Sequence, residues 1–141
     1  MTRVLRAVVT LCMFSAPLLA QSESRTTRTG VYSREQASRG QQVFLGMCKN
    51  CHTPESHTTP SFTAKWEGKP LSELFQYLRD QMPKNEPGSL NVEEYADVLA
   101  YILQLNRMPS GQNDLPTEPN QMKAIRFTTK SSKPTAVRKD P

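Results

Sequence analysis

Cys48-Lys49-Asn50-Cys51-His52 is a C-x-x-C-H motif. Two thiols one helical turn apart, followed at once by an imidazole, are the residues that attach a c-type haem. The thiols add to the two vinyl groups on one porphyrin edge. The imidazole then faces the iron, which makes His52 the expected proximal ligand. Two other chemistries use a C-x-x-C pair. A thioredoxin-like redox site sits beside a βαβ pattern, and none is readable here. A structural zinc site takes four ligands. Without the N-terminal segment, the only cysteines and histidines are Cys48, Cys51, His52 and His57, crowded into ten residues. One covalent haem c is therefore the expected cofactor.

Residues 1–20 read as a secretory signal. Arg3 and Arg6 give a positive start, Ala7 to Leu19 is mostly apolar, and Ala20 is a small residue at a cleavage point. The run is shorter than the roughly 20 residues of a spanning helix. An uncleaved membrane anchor is the alternative, and Leu18 at the −3 position leaves the cleavage point open. Cys12 would leave with the signal, so no structural disulfide is expected. Export agrees with the haem reading, because bacterial c-type haem is attached outside the cytoplasm. The expected location is the periplasm.

Residues 21–32 read as a flexible N-terminal segment and 107–141 as a Pro-rich basic tail. The tail holds Pro109, Pro116, Pro119, Pro134 and Pro141 with no helical apolar period. That composition predicts a mostly disordered or surface-wrapping segment. Met122-Lys123-Ala124-Ile125-Arg126-Phe127 is a patch suited to packing on the core or on a partner. The formal net charge of +5 resides in the signal and in tail residues such as Arg107, Lys123, Arg126, Lys130 and Lys133. The core between them is slightly acidic, which argues against nucleic acid as a partner. The tail, or an uncleaved N-terminal segment, offers contact with a membrane. The tail would equally serve an acidic partner, or act only as a solubilising segment.

The core domain is expected at residues 33–106, and three helices are readable in it. Ser33 with Gln36 has the form of a capping box, followed by Ala37, Gly40, Val43, Phe44 and Met47 at helical spacing. Gly40 inside this helix costs roughly 1 kcal/mol relative to Ala, which the close approach of another helix would justify. Pro70 introduces the second, where Leu71, Leu74, Phe75 and Leu78 form a stripe that ends before Pro83. Asn91 with Glu94 opens the third, whose apolar face is Val92, Tyr95, Val98, Leu99, Ile102 and Leu103. No strand pattern competes. The fold class is all-α, a small fold of three to four helices around one covalent haem. The haem itself completes a core that so short a chain has difficulty building alone.

Met82 is the candidate for the second axial position. It lies 30 residues after His52, enough chain to pass around a porphyrin edge, and Pro83 and Pro87 stiffen its loop. His57 is too near His52 to reach the opposite face; it reads as a solvated loop residue or a partner-facing, pH-sensitive group. Ordinary core packing is the other reading of Met82. A His/Met pair raises the potential and fills both axial positions, which favours electron transfer.

Gly40-x-x-x-Phe44-x-x-x-Cys48-x-x-Cys51-His52, Met82-Pro83 and a last helix with Tyr95 and Tyr101 resemble class I cytochrome c. In that family the first and last helices cross at the glycine with aromatics beside it, a place matched here by Tyr101 or Tyr95. The stretch from Phe62 through Trp66-x-Gly68-Lys69-Pro70 to Met82-Pro83, then Pro87-Gly88 and Tyr95 to Leu103, narrows the likeness. It is similar to the small cytochrome c domains and subunits that accept electrons from periplasmic quinoprotein (PQQ) dehydrogenases. The resemblance covers about residues 34 to 105. It implies that a proline carbonyl after the motif, Pro60 here, accepts the hydrogen bond of the proximal imidazole. Trp66 would pack beside the haem, or serve as an ordinary core tryptophan. The segment Thr53 to Pro60 departs from the family, which often has a glycine-rich stretch and paired prolines there.

These readings predict a non-enzymatic, exported, single-haem electron carrier. Its donor would be a periplasmic dehydrogenase and its acceptor an oxidase or another cytochrome. The alternatives are an open-site haem protein, such as a gas sensor or weak peroxidase, and an assembly subunit that acts through its basic tail.

Overall fold

The computed structural model describes residues 25–130. The signal segment and the last residues of the tail, 131–141, lie outside them. Five helices, α1 (Arg34–Met47), α2 (Pro60–Trp66), α3 (Leu71–Gln81), α4 (Val92–Leu105) and α5 (Pro119–Lys123), are joined by a 3-10 turn at Pro54–His57 and two short strands, β1 (Arg25–Thr26) and β2 (Ile125–Arg126). The all-α class is correct. The expectation of three to four helices missed the short α2 and α5, and the strands were not expected.

The three anticipated helices form for the anticipated reasons, with two corrections. Asn91 caps α4 through a complete capping box: its side chain accepts from the Glu94 N–H at 2.8 Å, and Glu94 accepts from the Asn91 N–H at 2.9 Å. Ser33 caps α1 by accepting from the Gln36 N–H at 3.0 Å. Gln36 does not return the bond. Its buried amide pairs instead with the backbone of Leu115, donating to the carbonyl at 3.2 Å and accepting from the N–H at 2.6 Å. Pro70 stands at the cap of α3 rather than inside its first turn.

Helices α1 and α4 form the centre of the fold. They cross at Gly40, where an added Cβ would meet the Asp97 carbonyl oxygen at 1.8 Å. Phe44 and Tyr101 meet edge to face beside the crossing, with ring centres 5.4 Å apart. Helix α3 packs Leu71, Leu74, Phe75 and Leu78 into the same core as Val98, Leu99, Ile102 and Leu103 of α4.

Both flanks of the domain need correction. Residues 107–130 are not a loose tail, and 25–32 are not a free arm. Met108, Leu115, Met122, Ile125 and Phe127 are buried in the main core with Val31 and Tyr32. Burying a large apolar side chain contributes roughly 1.5–3 kcal/mol, so this strap supplies much of the core that the chain had seemed to lack. Polar contacts fix its path. The Tyr32 hydroxyl donates to the Met108 carbonyl at 2.6 Å, and the Gly111 N–H donates to the Tyr32 carbonyl at 2.7 Å. Arg39 on α1 holds Asp97 of α4 with two bonds of 2.9 Å and reaches Asp114 at 2.7 Å. Strands β1 and β2 then pair in parallel, Arg25 opposite Ile125.

Candidate functional site

Helix α1 ends in the C-x-x-C-H motif, and a tight turn shapes it. The Cys48 and Lys49 N–H groups donate to the Phe44 carbonyl, while those of Cys51 and His52 donate to the Cys48 carbonyl at 3.1 and 2.9 Å. Cys48, Cys51 and His52 are thereby carried to the wall of one cavity of about 450 Å³. That volume lies in the range of pockets that hold a sizeable organic ligand, about 300–1,000 Å³.

The rest of the wall comes from the other helices. Helix α2 contributes Phe62, Lys65 and Trp66; α3 contributes Leu74, Tyr77 and Leu78; α4 contributes Val98 and Ile102. Met82, Pro83, Lys84 and Asn85 close it from the loop after α3. Met82 leaves the helix in an extended conformation (φ −132°, ψ 148°), because the residue before a proline is pushed out of the helical region. The Tyr95 hydroxyl fixes this loop by donating to the Met82 carbonyl at 2.7 Å and accepting from the Gly88 N–H at 3.0 Å. Tyr95 thus serves the loop, and Tyr101 takes the place beside the helix crossing.

Five of the six residues singled out in the sequence line this cavity: Cys48, Cys51, His52, Met82 and Trp66. Pro60 does not. It is the first residue of α2, is exposed, and its carbonyl accepts from the Thr63 hydroxyl at 3.1 Å. Trp66 is buried and packs against Tyr77, with ring centres 5.6 Å apart.

His57 is not a solvated loop residue. Its ring is wedged among Phe44 (5.5 Å), His52 (5.3 Å) and Phe62 (5.4 Å). Burial pushes its pKa down, the neighbouring His52 lowers it further, and a bond to the Thr53 backbone opposes them. His57, Phe62, Lys65, Tyr77 and Lys84 were not picked out as site residues. The signal for α2 was present: Thr59-Pro60 is a helix start, with the Thr59 hydroxyl accepting from the Phe62 N–H at 3.2 Å. Phe62 and Trp66 then fall one turn apart, on one face.

The wall fits a haem by its chemistry. Apolar and aromatic side chains from α1, α2, α3 and α4 would exclude water from a flat ring. Both thiols are free, and burial raises the pKa of Cys48, holding it as a neutral thiol. Lys65 and Lys84 supply positive charge at the wall and would offer partners to the ring's propionates. Among the described residues no group of three His, Cys, Asp or Glu side chains converges as a metal cluster. Cys48, Cys51, His52 and His57 thus do not form the tetrahedral site that a zinc reading requires. No helix among the described residues is long and apolar enough to cross a membrane.

Comparison with known proteins agrees. No curated protein and no solved structure matches the chain significantly. Residues 35–102 match the family model described as cytochrome C oxidase, cbb3-type, subunit III. The match, over just under half of the chain, supports a class I cytochrome c domain at residues 35–102, and such a domain implies covalently bound haem c.

Proposed function

We propose that this chain is an exported single-haem electron carrier, with Cys48 and Cys51 as the covalent anchors and His52 and Met82 as the axial ligands. The observation that carries the reading is the convergence of these four side chains on one mainly apolar cavity. When bound, the haem supplies a one-electron iron couple. The chain's part is to hold both axial positions and keep water from the ring. The Tyr95 clamp on the Met82–Gly88 loop supports ligation by Met82, because a thioether is a weak ligand and needs a fixed backbone. Filled axial positions disfavour the open-site alternative.

The donor in this reading is a periplasmic dehydrogenase of the quinoprotein (PQQ) kind, supported by the Phe62 to Leu103 motifs. The acceptor is an oxidase or another cytochrome, supported by the description of the matching family as an oxidase subunit. Membrane contact through the N-terminal segment or the last basic residues belongs to the same proposal. An assembly subunit acting through a free basic arm has less support, because Arg107, Lys123 and Arg126 sit on the folded strap.

The test is a pyridine haemochrome spectrum and a ferric near-infrared spectrum of protein matured by a cytochrome c biogenesis system. Covalent haem with the sulfur-to-iron charge-transfer band is expected. Covalent haem without that band would refute Met82 ligation, and absence of covalent haem would refute the assignment of the thiols.

A further inference from the structure

Trp66 and Tyr77 each face two spaces at once. They line the cavity that carries the C-x-x-C-H motif, and they line an open depression on the protein surface beside α3. The two spaces share no other residue. The rest of the depression is hydrophilic and mixed in charge, with Glu73, Gln76 and Asp80 from α3 and Lys69 from the turn before it. The partition between the cavity and this part of the surface is therefore a pair of aromatic side chains.

The pair runs from the interior to solvent. Trp66 is 4 % exposed and Tyr77 is 37 % exposed. Their ring centres are 5.6 Å apart and the rings meet edge to face, an arrangement that aromatic pairs favour. Two ammonium groups stand over them. Lys65 Nζ is 4.3 Å from the centre of the Tyr77 ring and 4.9 Å from that of Trp66, and Lys69 Nζ is 5.3 Å from that of Trp66. A cation over a ring is attracted by its π electrons, which makes removing one of them harder. These rings are thus poor sites for a radical, but their π systems still bridge two redox centres better than aliphatic chains do.

We infer that Trp66 and Tyr77 are the electron port of the haem, and that a one-electron carrier protein exchanges electrons with it while seated over Tyr77 on the exposed face of α3. One electron passes from ferrous iron to the partner's oxidised centre; no proton moves and neither ring is oxidised. The competing exit is the exposed side of the cavity at Met47 and Cys51, which has no aromatic residue. The inference rests on the reading of the cavity as a haem site.

The experiment uses the holo protein with a ruthenium photosensitiser on a single added cysteine. Gln76→Cys places the label in the depression, and Asn85→Cys places it on the exposed loop at another part of the cavity wall. Flash photolysis then reads electron transfer between label and iron. Tyr77→Leu should slow transfer from the Gln76 label several-fold, leave transfer from the Asn85 label unchanged, and keep the midpoint potential. Tyr77→Phe, which retains the ring, should keep the wild-type rate. Tyr77→Gln, matching the polar neighbours on this face, serves as a second variant if Tyr77→Leu does not mature. An unchanged rate from the Gln76 label without the ring would overturn the proposal. So would equal slowing from both labels, or a Tyr77→Phe rate as low as that of Tyr77→Leu. Failure of the haem reading looks different: the unlabelled wild-type protein would carry no covalent haem.

Discussion

The Asp97 carbonyl oxygen occupies the space that a side chain at Gly40 would need, 1.8 Å from an ideal Cβ. The obstacle is backbone and cannot swing aside. Two helices that both contribute to the wall of the cavity are thus set against each other by the absence of one methyl group. Gly40→Ala gains about 1 kcal/mol in helix propensity but must push α1 from α4. The expected result is a net destabilisation of about 2–3 kcal/mol, read as a lower denaturation midpoint with unchanged haem content.

Gln36 offers a direct test of the strap. Its amide satisfies both backbone groups of the buried Leu115. Gln36→Ala leaves that N–H and C=O without partners, each at a cost of roughly 1–3 kcal/mol. Limited proteolysis should open first between Met108 and Pro119, under conditions where the wild-type chain resists. Equal resistance of the two proteins would show that the strap is held by its apolar side chains alone.

The acid limb of stability depends on Asp114. Its pKa is lowered, first by the hydrogen bond from Ser33 and then by Arg39. As pH falls, the unfolded chain protonates this group first, near the ordinary value of about 3.9. The contribution is therefore full above that value and is lost as pH falls through the lower folded value. Asp114 is half exposed, so the effect is small. Asp114→Asn should lose stability near neutrality and flatten the curve below about pH 4, as read by denaturation at several pH values.

Tyr95→Phe removes a hydroxyl and little volume. The lost bonds to Met82 and Gly88 should cost about 1–2 kcal/mol. If Met82 ligates the iron, the sulfur-to-iron band should also disappear at a lower temperature than global unfolding. A band that persists up to the unfolding temperature would mean that Pro83 and its neighbours hold the loop without Tyr95.

Met82→Ala tests the axial position itself. The variant should keep its covalent haem, lose the sulfur band and bind carbon monoxide when reduced, which the wild type should not. Carbon monoxide binding by the wild type at neutral pH would restore the open-site reading.

Much of this was legible because it is local. The α3 stripe, the Asn91–Glu94 box and the glycine of α1 announce themselves within a few residues, and the C-x-x-C-H motif names its cofactor by spacing. The strap was legible only in its Met122–Phe127 patch, which reads as suited to packing on the core or on a partner. Met108, Leu115, Met122, Ile125 and Phe127 follow neither a helical nor an alternating period, and prolines interrupt them. Their burial depends on distant partners: Gln36 is 79 residues from Leu115. His57 was misread for a related reason. Its sequence neighbours are polar, and only the fold brings Phe44 and Phe62 to its ring.

The pairing of β1 with β2 has a mechanical consequence. The Thr27 N–H donates to the Arg126 carbonyl at 2.9 Å, and Thr27 exchanges side-chain bonds with the Thr128 backbone at 3.0 and 2.9 Å across 101 residues of chain. Because the strands are parallel, a pull on the chain before Arg25 against the chain after Lys130 slides one strand along the other. Such a load falls on all these bonds together, and they must break at once. A tether at either end would thus strain this clasp in shear, while α1, α4 and the cavity beside them remain unloaded until it gives way.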